Sequence, residues 1–220
     1  MKLEVDNVEL YFKHKQILKG IYLKAETGKV TGILGRNGSG KSCLLQIIFG
    51  SLRSKYKLVR IDNKPILKPL YQTNLVKLLP QHKFIPNNLK LKIVFALYKV
   101  DWNTFVSVFE EFKSYSTYKA NKLSDGERRI IETYLVLKST NDIVLLDEPF
   151  SHLAPLQIER IKHLIYEEKN RKVIVITDHM YEHIIDASDD IYLLKNGCTK
   201  IIDNLKELED YQYLSTSNLH

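Results

Sequence analysis

The residues with the clearest chemistry run from Gly35 to Ser42, in the order Gly-Arg-Asn-Gly-Ser-Gly-Lys-Ser. Gly35, Gly38 and Gly40 let the backbone curl so that the N–H groups around Arg36, Asn37 and Ser39 face one anion, a curl that Cβ atoms obstruct. Lys41 then supplies a cation for the β- and γ-phosphates, and Ser42 a hydroxyl for Mg²⁺. That chemistry is the binding of a nucleoside triphosphate. Farther along, the apolar run Ile143 to Leu146 ends in Asp147-Glu148. Such a strand delivers one carboxylate to the Mg²⁺ shell and leaves the next free to act as general base on water. His179 closes another apolar run, Val173 to Thr177, and can contact a γ-phosphate and the attacking water; His152 is its rival. Gln81, just after Leu75 to Leu79 and Pro80, is a candidate reader of Mg²⁺ or water. Ser124 and Gly126, at the start of a helical pattern running to Leu137, make a second small anion-binding turn, although Ser-x-Gly-Glu is also an ordinary N-cap.

These groups need elements to hold them. Val30 to Leu34 reads as a strand, Cys43 to Phe49 as a helix that stops at Gly50, and the loop between them starts that helix with free N–H groups. Gln81, Asp147 and His179 then stand at the carboxyl ends of strands, where α/β sheets place their ligands. Lys2 to Phe12 and Gln16 to Ala25 alternate as strands around His14-Lys15. With Val30 to Leu34 they read as three antiparallel strands, a β-subdomain against which a base could lie. Phe12 or its neighbour Tyr11 offers a ring to adenine. Alternation requires one of the two to face inward, and Phe12 is the choice for the base. Leu58 to Ile61 is a short strand followed by a turn at Asp62-Asn63. From Leu89 to about Tyr118 the period is helical, with aromatics at Phe105, Phe109 and Phe112 that suit a core.

At 220 residues the chain forms one large domain or two small lobes, and 44% apolar residues suit a globular protein. No apolar run approaches the roughly 18 residues of a membrane span, and the first residues alternate instead of forming a signal-peptide core. Cys43 and Cys198 have no metal spacing, which suits a reducing, cytoplasmic compartment. The net charge of +7 is spread as lysines along the chain, as on a solvated surface, so no nucleic-acid partner is expected.

Together the motifs resemble the nucleotide-binding domain of ABC-type ATPases over nearly the whole chain. Phe12 falls at the aromatic A-loop position, Gly35 to Ser42 at Walker A with Cys43 after it, and Gln81 at the Q-loop. Leu123 to Glu127 matches the signature, Ile143 to Asp147 Walker B, Glu148 the catalytic carboxylate and His179 the switch histidine. The wording of Gly126 to Arg129 and of Asp147 to Phe150 is similar to lipopolysaccharide-export and branched-chain amino acid uptake ATPases. The resemblance implies an α/β P-loop fold with a mostly parallel central sheet, an antiparallel β-subdomain and a small helical subdomain. It implies one domain over residues 1–220, with a core of 1–81 and 136–220 and a helical part of about 82–135. It further implies ATP hydrolysis with Mg²⁺ at Ser42, Gln81 and Asp147, with Lys41, Glu148 and His179 catalytic. The chain would pair head to tail with a second copy or a paralogue, so that Ser124, Gly126 and Glu127 meet the partner's ATP. It would drive a membrane permease from the cytoplasmic face. The rival readings are a non-transport ABC ATPase and a weakly active regulatory module. Three features depart from the family pattern. Asp125 replaces the usual glycine and should weaken ATP unless a cation or Arg128 offsets it; Ala154 replaces an aspartate; and the helical lobe is short.

Overall fold

The computed structural model describes residues 1–210. Its strands are β1 (Lys2–Phe12), β2 (Lys15–Glu26), β3 (Val30–Leu34), β4 (Tyr56–Ile61), β5 (Lys64–Pro65), β6 (Val76–Leu79), β7 (Ile143–Asp147), β8 (Val173–Thr177), β9 (Asp190–Lys195) and β10 (Cys198–Ile202). Its helices are α1 (Lys41–Phe49), α2 (Leu91–Tyr98), α3 (Trp102–Val108), α4 (Asp125–Leu137), α5 (Pro155–Lys169), α6 (Tyr181–Ala187) and α7 (Glu207–Asp210).

Alternation drives the first sheet. β1 buries Leu3, Val5, Val8 and Leu10, and β2 buries Leu18, Ile21, Leu23 and Ala25, so the pair forms an antiparallel hairpin with one apolar face. β4 and β5 extend it, in the order β2-β1-β4-β5. The turn between β4 and β5 is Asp62-Asn63, both in the left-handed region, as the expectation for that pair required. The second sheet has the order β10-β9-β3-β8-β7-β6 and is parallel except at β10. β3, β7 and β8 are buried at every position, which requires cover on both faces. The period of two sorts their side chains into two cores. Ile143, Leu145, Val173 and Val175 pack with α1 and the hairpin. Val144, Leu146, Ile174 and Ile176 pack with α4, α5 and α6.

Three expectations are corrected. β3 is not a third antiparallel strand; it lies inside the parallel sheet between β8 and β9. Five consecutive buried positions, with Gly32 pressed against Ser188 and Ile184, suit a strand covered on both faces, and the β-subdomain takes its last strands from 56–65 instead. Nor does either of Tyr11 and Phe12 face inward: they are 38% and 49% exposed. A register shift between Leu10 and Tyr11 ends the alternation there, and Lys55 lies over the Tyr11 ring at 5.2 Å. The helical stretch after Leu89 is broken into α2, α3 and several 3₁₀ turns. α2 stops at Lys99 in the left-handed region, and Asp101 starts α3 by accepting the Thr104 N–H at 2.6 Å. The lobe's aromatics do form a core, with Phe95, Phe105, Phe109 and Phe112 fully buried around Tyr134 of α4. Among the described residues no helix is long and apolar enough to cross a membrane.

Candidate functional site

β3 delivers the chain to the glycine loop, and α1 begins at Lys41. Gly40 has φ of 106° and packs against the Leu18 side chain, so a Cβ there would be both strained and obstructed. At Gly35 a Cβ would stand 2.8 Å from the Leu194 carbonyl. Lys41 is buried inside the curl, donating to the Gly35 carbonyl at 2.6 Å and to that of Arg36 at 3.4 Å. Burial pulls its pKa below the ordinary lysine range, against the charges of Glu148, Asp147 and Asp178. The Ser39 hydroxyl is buried without a hydrogen-bond partner, an orphan that a bound phosphate would satisfy.

At the foot of the loop the Ser42 hydroxyl donates to Asp147 Oδ1 at 3.0 Å, joining the start of α1 to the end of β7. Asp147 is almost fully buried, and its carboxyl is pushed up to about 6, first by burial. The Ser42 hydrogen bond opposes that shift, Glu148 adds to it, and Arg129 and Lys41 pull it back. Hard oxygen ligands, few in number and beside a phosphate cradle, fit Mg²⁺, which is held by one or two protein oxygens plus substrate phosphates.

Glu148 leaves β7 with φ of 56°, unusual for a side chain of its size. Its N–H donates to the Thr177 carbonyl at 2.6 Å. Its carboxylate accepts from the Gln81 amide at 3.2 Å and the Ser151 hydroxyl at 3.3 Å, and lies 3.6 Å from His179 Nδ1. The same nitrogen is 3.1 Å from Asp178, a fully buried carboxylate that also accepts the N–H groups of Phe150 and Met180. Burial raises the Asp178 pKa above the usual range.

Phe12, the loop from Asn37 to Cys43, Gln81, Glu148 and His179 line one cleft of about 820 Å³, with His152 also on its wall. Gly35 and Arg36 lie outside it: the Gly35 carbonyl holds Lys41, and Arg36 faces a neighbouring basic cleft with Lys15, Lys19 and Lys195. Ser124, Gly126 and Glu127 are not on the cleft either. Ser124 caps α4 by accepting the Glu127 N–H at 3.2 Å, while Glu127 accepts from Ser124 N at 2.8 Å and from the Tyr115 hydroxyl at 2.9 Å. Gly126 is needed locally, because a Cβ would meet the His152 carbonyl at 2.6 Å. Ala154, in the aspartate's place, begins α5, and its N–H is taken by the Gln157 side chain at 3.1 Å.

Arg128 is not the partner of Asp125 and contributes only a minor charge effect there. Its guanidinium is buried on Glu132 at 3.0 Å, Asn87 at 2.8 Å and the Ile85 carbonyl, and Lys83 takes Asp125 instead at 2.5 Å. The residue that motif reading overlooked is Arg129. From α4 it donates to the carbonyls of Pro80 at 2.8 Å, of Glu148 at 2.9 and 3.0 Å, and of Asp147. It thereby ties together the strand ends that carry Gln81 and Glu148. No side-chain pattern in the sequence marked it, because Arg129 is buried on α4 against backbone carbonyls alone.

Comparison with known proteins places this arrangement. The family pattern described as ABC transporter matches residues 18–151, more than half of the chain. The chain is similar to an uncharacterised ABC transporter ATP-binding protein of Methanocaldococcus jannaschii, with 28% identity over 99% of this chain and 85% of that one. It is also similar to the lipopolysaccharide export system ATP-binding protein LptB of Haemophilus influenzae (27%; 91% and 88%). A third relative is the high-affinity branched-chain amino acid transport ATP-binding protein BraG of Pseudomonas aeruginosa (24%; 89% and 89%). Among solved structures, an ATP-binding subunit of an ABC transporter shares the fold with a TM-score of 0.81 at 18% identity, covering 100% of this chain and 98% of the other. A nucleotide-free ATP-binding cassette does so at 0.77 and 21%, covering 97% and 96%. With the phosphate loop, Glu148 and His179 gathered at one cleft, Asp147 bonded to the loop's Ser42, and the family pattern matching residues 18–151, the chain belongs to the ABC transporter family, as one of its ATP-binding proteins.

Proposed function

We propose that this chain is the ATP-hydrolysing subunit of an ABC transporter, paired head to tail with a second copy or a paralogue around two ATP molecules. One observation carries the catalytic part: the Glu148 carboxylate is held by Gln81 and Ser151 beside His179, on the wall of the same cleft as the phosphate loop. The loop N–H groups and Lys41 bind the β- and γ-phosphates, and Phe12 stacks on the base. Ser42 and Asp147, with Gln81 near, would hold Mg²⁺, which when bound screens the phosphate charge. Glu148 takes a proton from water as its oxygen bonds to the γ-phosphorus; the bond to the β-bridging oxygen breaks, giving ADP and phosphate. His179, fixed by Asp178, orients the γ-phosphate. The signature turn around Ser124 and Gly126 lies off this chain's own cleft, which supports its use toward a partner's ATP.

We assign residues 1–220 to one ATPase domain, with a core of 1–81 and 136–220 and a helical subdomain of about 82–135 that docks a permease at the inner face of the membrane. Glu148→Gln should abolish turnover and leave an ATP-bound dimer visible by size-exclusion chromatography; hydrolysis at the parental rate would remove Glu148 from the mechanism. Affinity purification from membranes should recover a polytopic partner. Ribosomes or nucleic acid in its place would decide for a non-transport ATPase. Asp125 and Ala154 favour one second reading, a weakly active regulatory ATP-binding module, which a near-background rate in the membrane-bound complex would support.

A further inference from the structure

Asp125 puts a carboxylate in the first turn of α4, between Ser124 and Gly126. In a two-chain site that turn faces the γ-phosphate held by the other chain, and like charges a few ångströms apart repel strongly where water is thinned out. The chain carries its own answer two residues after Gln81. Lys83 Nζ lies 2.5 Å from Asp125 Oδ1.

Both side chains are more than half exposed, and an isolated exposed pair of this kind contributes little to stability. What sets this one apart is that the backbone on each side is fixed. The segment that follows Lys83 is pinned to α4, because Glu132 accepts the N–H groups of Phe84 and Ile85 at 3.1 and 3.2 Å and Arg128 reaches Asn87 at 2.8 Å. Arg128, the cation next in sequence, is committed to those bonds and to Glu132. The Asp125 carboxyl is held below the ordinary aspartate range by the Lys83 hydrogen bond first and the Lys83 charge second, with smaller contributions from His152 and Arg128. Lys83, Asp125, Gln81 and Glu148 also border one small cleft of about 310 Å³, so the pair stands on the same rim as the candidate general base.

We propose that Lys83 is a positioning residue for the ATP shared between two chains: it neutralises Asp125, so that position 125 adds no net negative charge facing the partner's γ-phosphate. The inference rests on the two-chain reading given above. A glycine at 125 needs no such partner, so the lysine and the aspartate form one functional unit.

The test is a double-mutant cycle in the Glu148→Gln background, where ATP is bound without being consumed. Sedimentation velocity measures the ATP concentration that gives half-maximal dimer. Lys83→Met should raise it roughly tenfold when Asp125 is present, an effect that 0.5 M salt reduces because the pair is exposed. In the Asp125→Gly background the same substitution should shift it by less than about twofold, since no charge is left to compensate. Lys83→Arg should restore the parental value. Equal shifts in both backgrounds, or no shift beside Asp125, would overturn the role of Lys83 while leaving the dimer in place. Absence of any ATP-dependent dimer in the parental Glu148→Gln protein would overturn the two-chain reading, and this inference with it.

Discussion

Arg129→Lys keeps the positive charge of the parent and removes only the fork. The guanidinium makes four N–H···O contacts to three carbonyls, those of Pro80, Asp147 and Glu148. It does so while buried, at a desolvation cost visible as a pKa pulled below the usual arginine range. An ammonium on a flexible stem cannot span three acceptors in that plane, so one or two buried carbonyls lose their partner. Each buried acceptor left unsatisfied costs about 1–3 kcal/mol, which puts the loss near 2–4 kcal/mol. For a domain of this size that lowers Tm by about 5–15 °C. The catalytic effect is separate. Removing the fork leaves the Glu148 carbonyl with only the Ser151 N–H at 3.3 Å and loosens the backbone that aims its carboxylate, and a misplacement of about 1 Å costs roughly 100-fold in kcat. Circular dichroism melts and steady-state ATPase rates, taken below the variant's Tm, read the two effects independently. A variant that melts within about 2 °C of the parent and turns over within about twofold would refute the clamp.

Two more outcomes follow from the site. Because folding raises the Asp147 carboxyl to about 6 from 3.8, the nucleotide-free folded state binds the extra proton, and this group's contribution to stability is lost as pH rises from about 4 to 6. Urea titrations across that window should show Asp147→Asn relieving the loss by up to about 3 kcal/mol, and a parallel pH dependence in parent and variant would argue against it. Phe12→Ala should weaken ATP binding about tenfold by calorimetry, the usual size of a base-stacking loss. Tyr11→Ala, whose ring already carries Lys55, should leave binding within about twofold, and the reverse order would exchange their roles.

What could be read before the fold was known had a local cause. The loop from Gly35 to Ser42 fixes its own geometry through glycine, and β7 and β8 run from Ile143 to Asp147 and from Val173 to Thr177 because a strand covered on both faces must be apolar without interruption. The misreadings each needed a distant residue. β3 looks like the hairpin strands in isolation, and only Ser188, Ile184 and the neighbouring β8 and β9 settle its sheet. The bulge that exposes both Tyr11 and Phe12 depends on how β1 meets β2. Arg128 sits beside the signature in sequence and pairs elsewhere, whereas Lys83, 42 positions before Asp125, provides the counter-charge. Arg129 was invisible as a functional residue because its partners are carbonyls, which carry no trace in the identity of Pro80, Asp147 or Glu148.

The left-handed backbone at Glu148 has an evolutionary consequence. Holding a long side chain at φ of 56° costs on the order of 1–3 kcal/mol, a strain carried by the bonds to Thr177 and Arg129. Glycine or asparagine would sit there more comfortably, so random drift toward a sturdier protein runs downhill, away from the carboxylate. With Glu148 as the proposed general base, position 148 is thus a place where selection for turnover would act continually against selection for robustness. A laboratory search for heat-resistant variants that did not also screen for hydrolysis would be expected to lose this residue early.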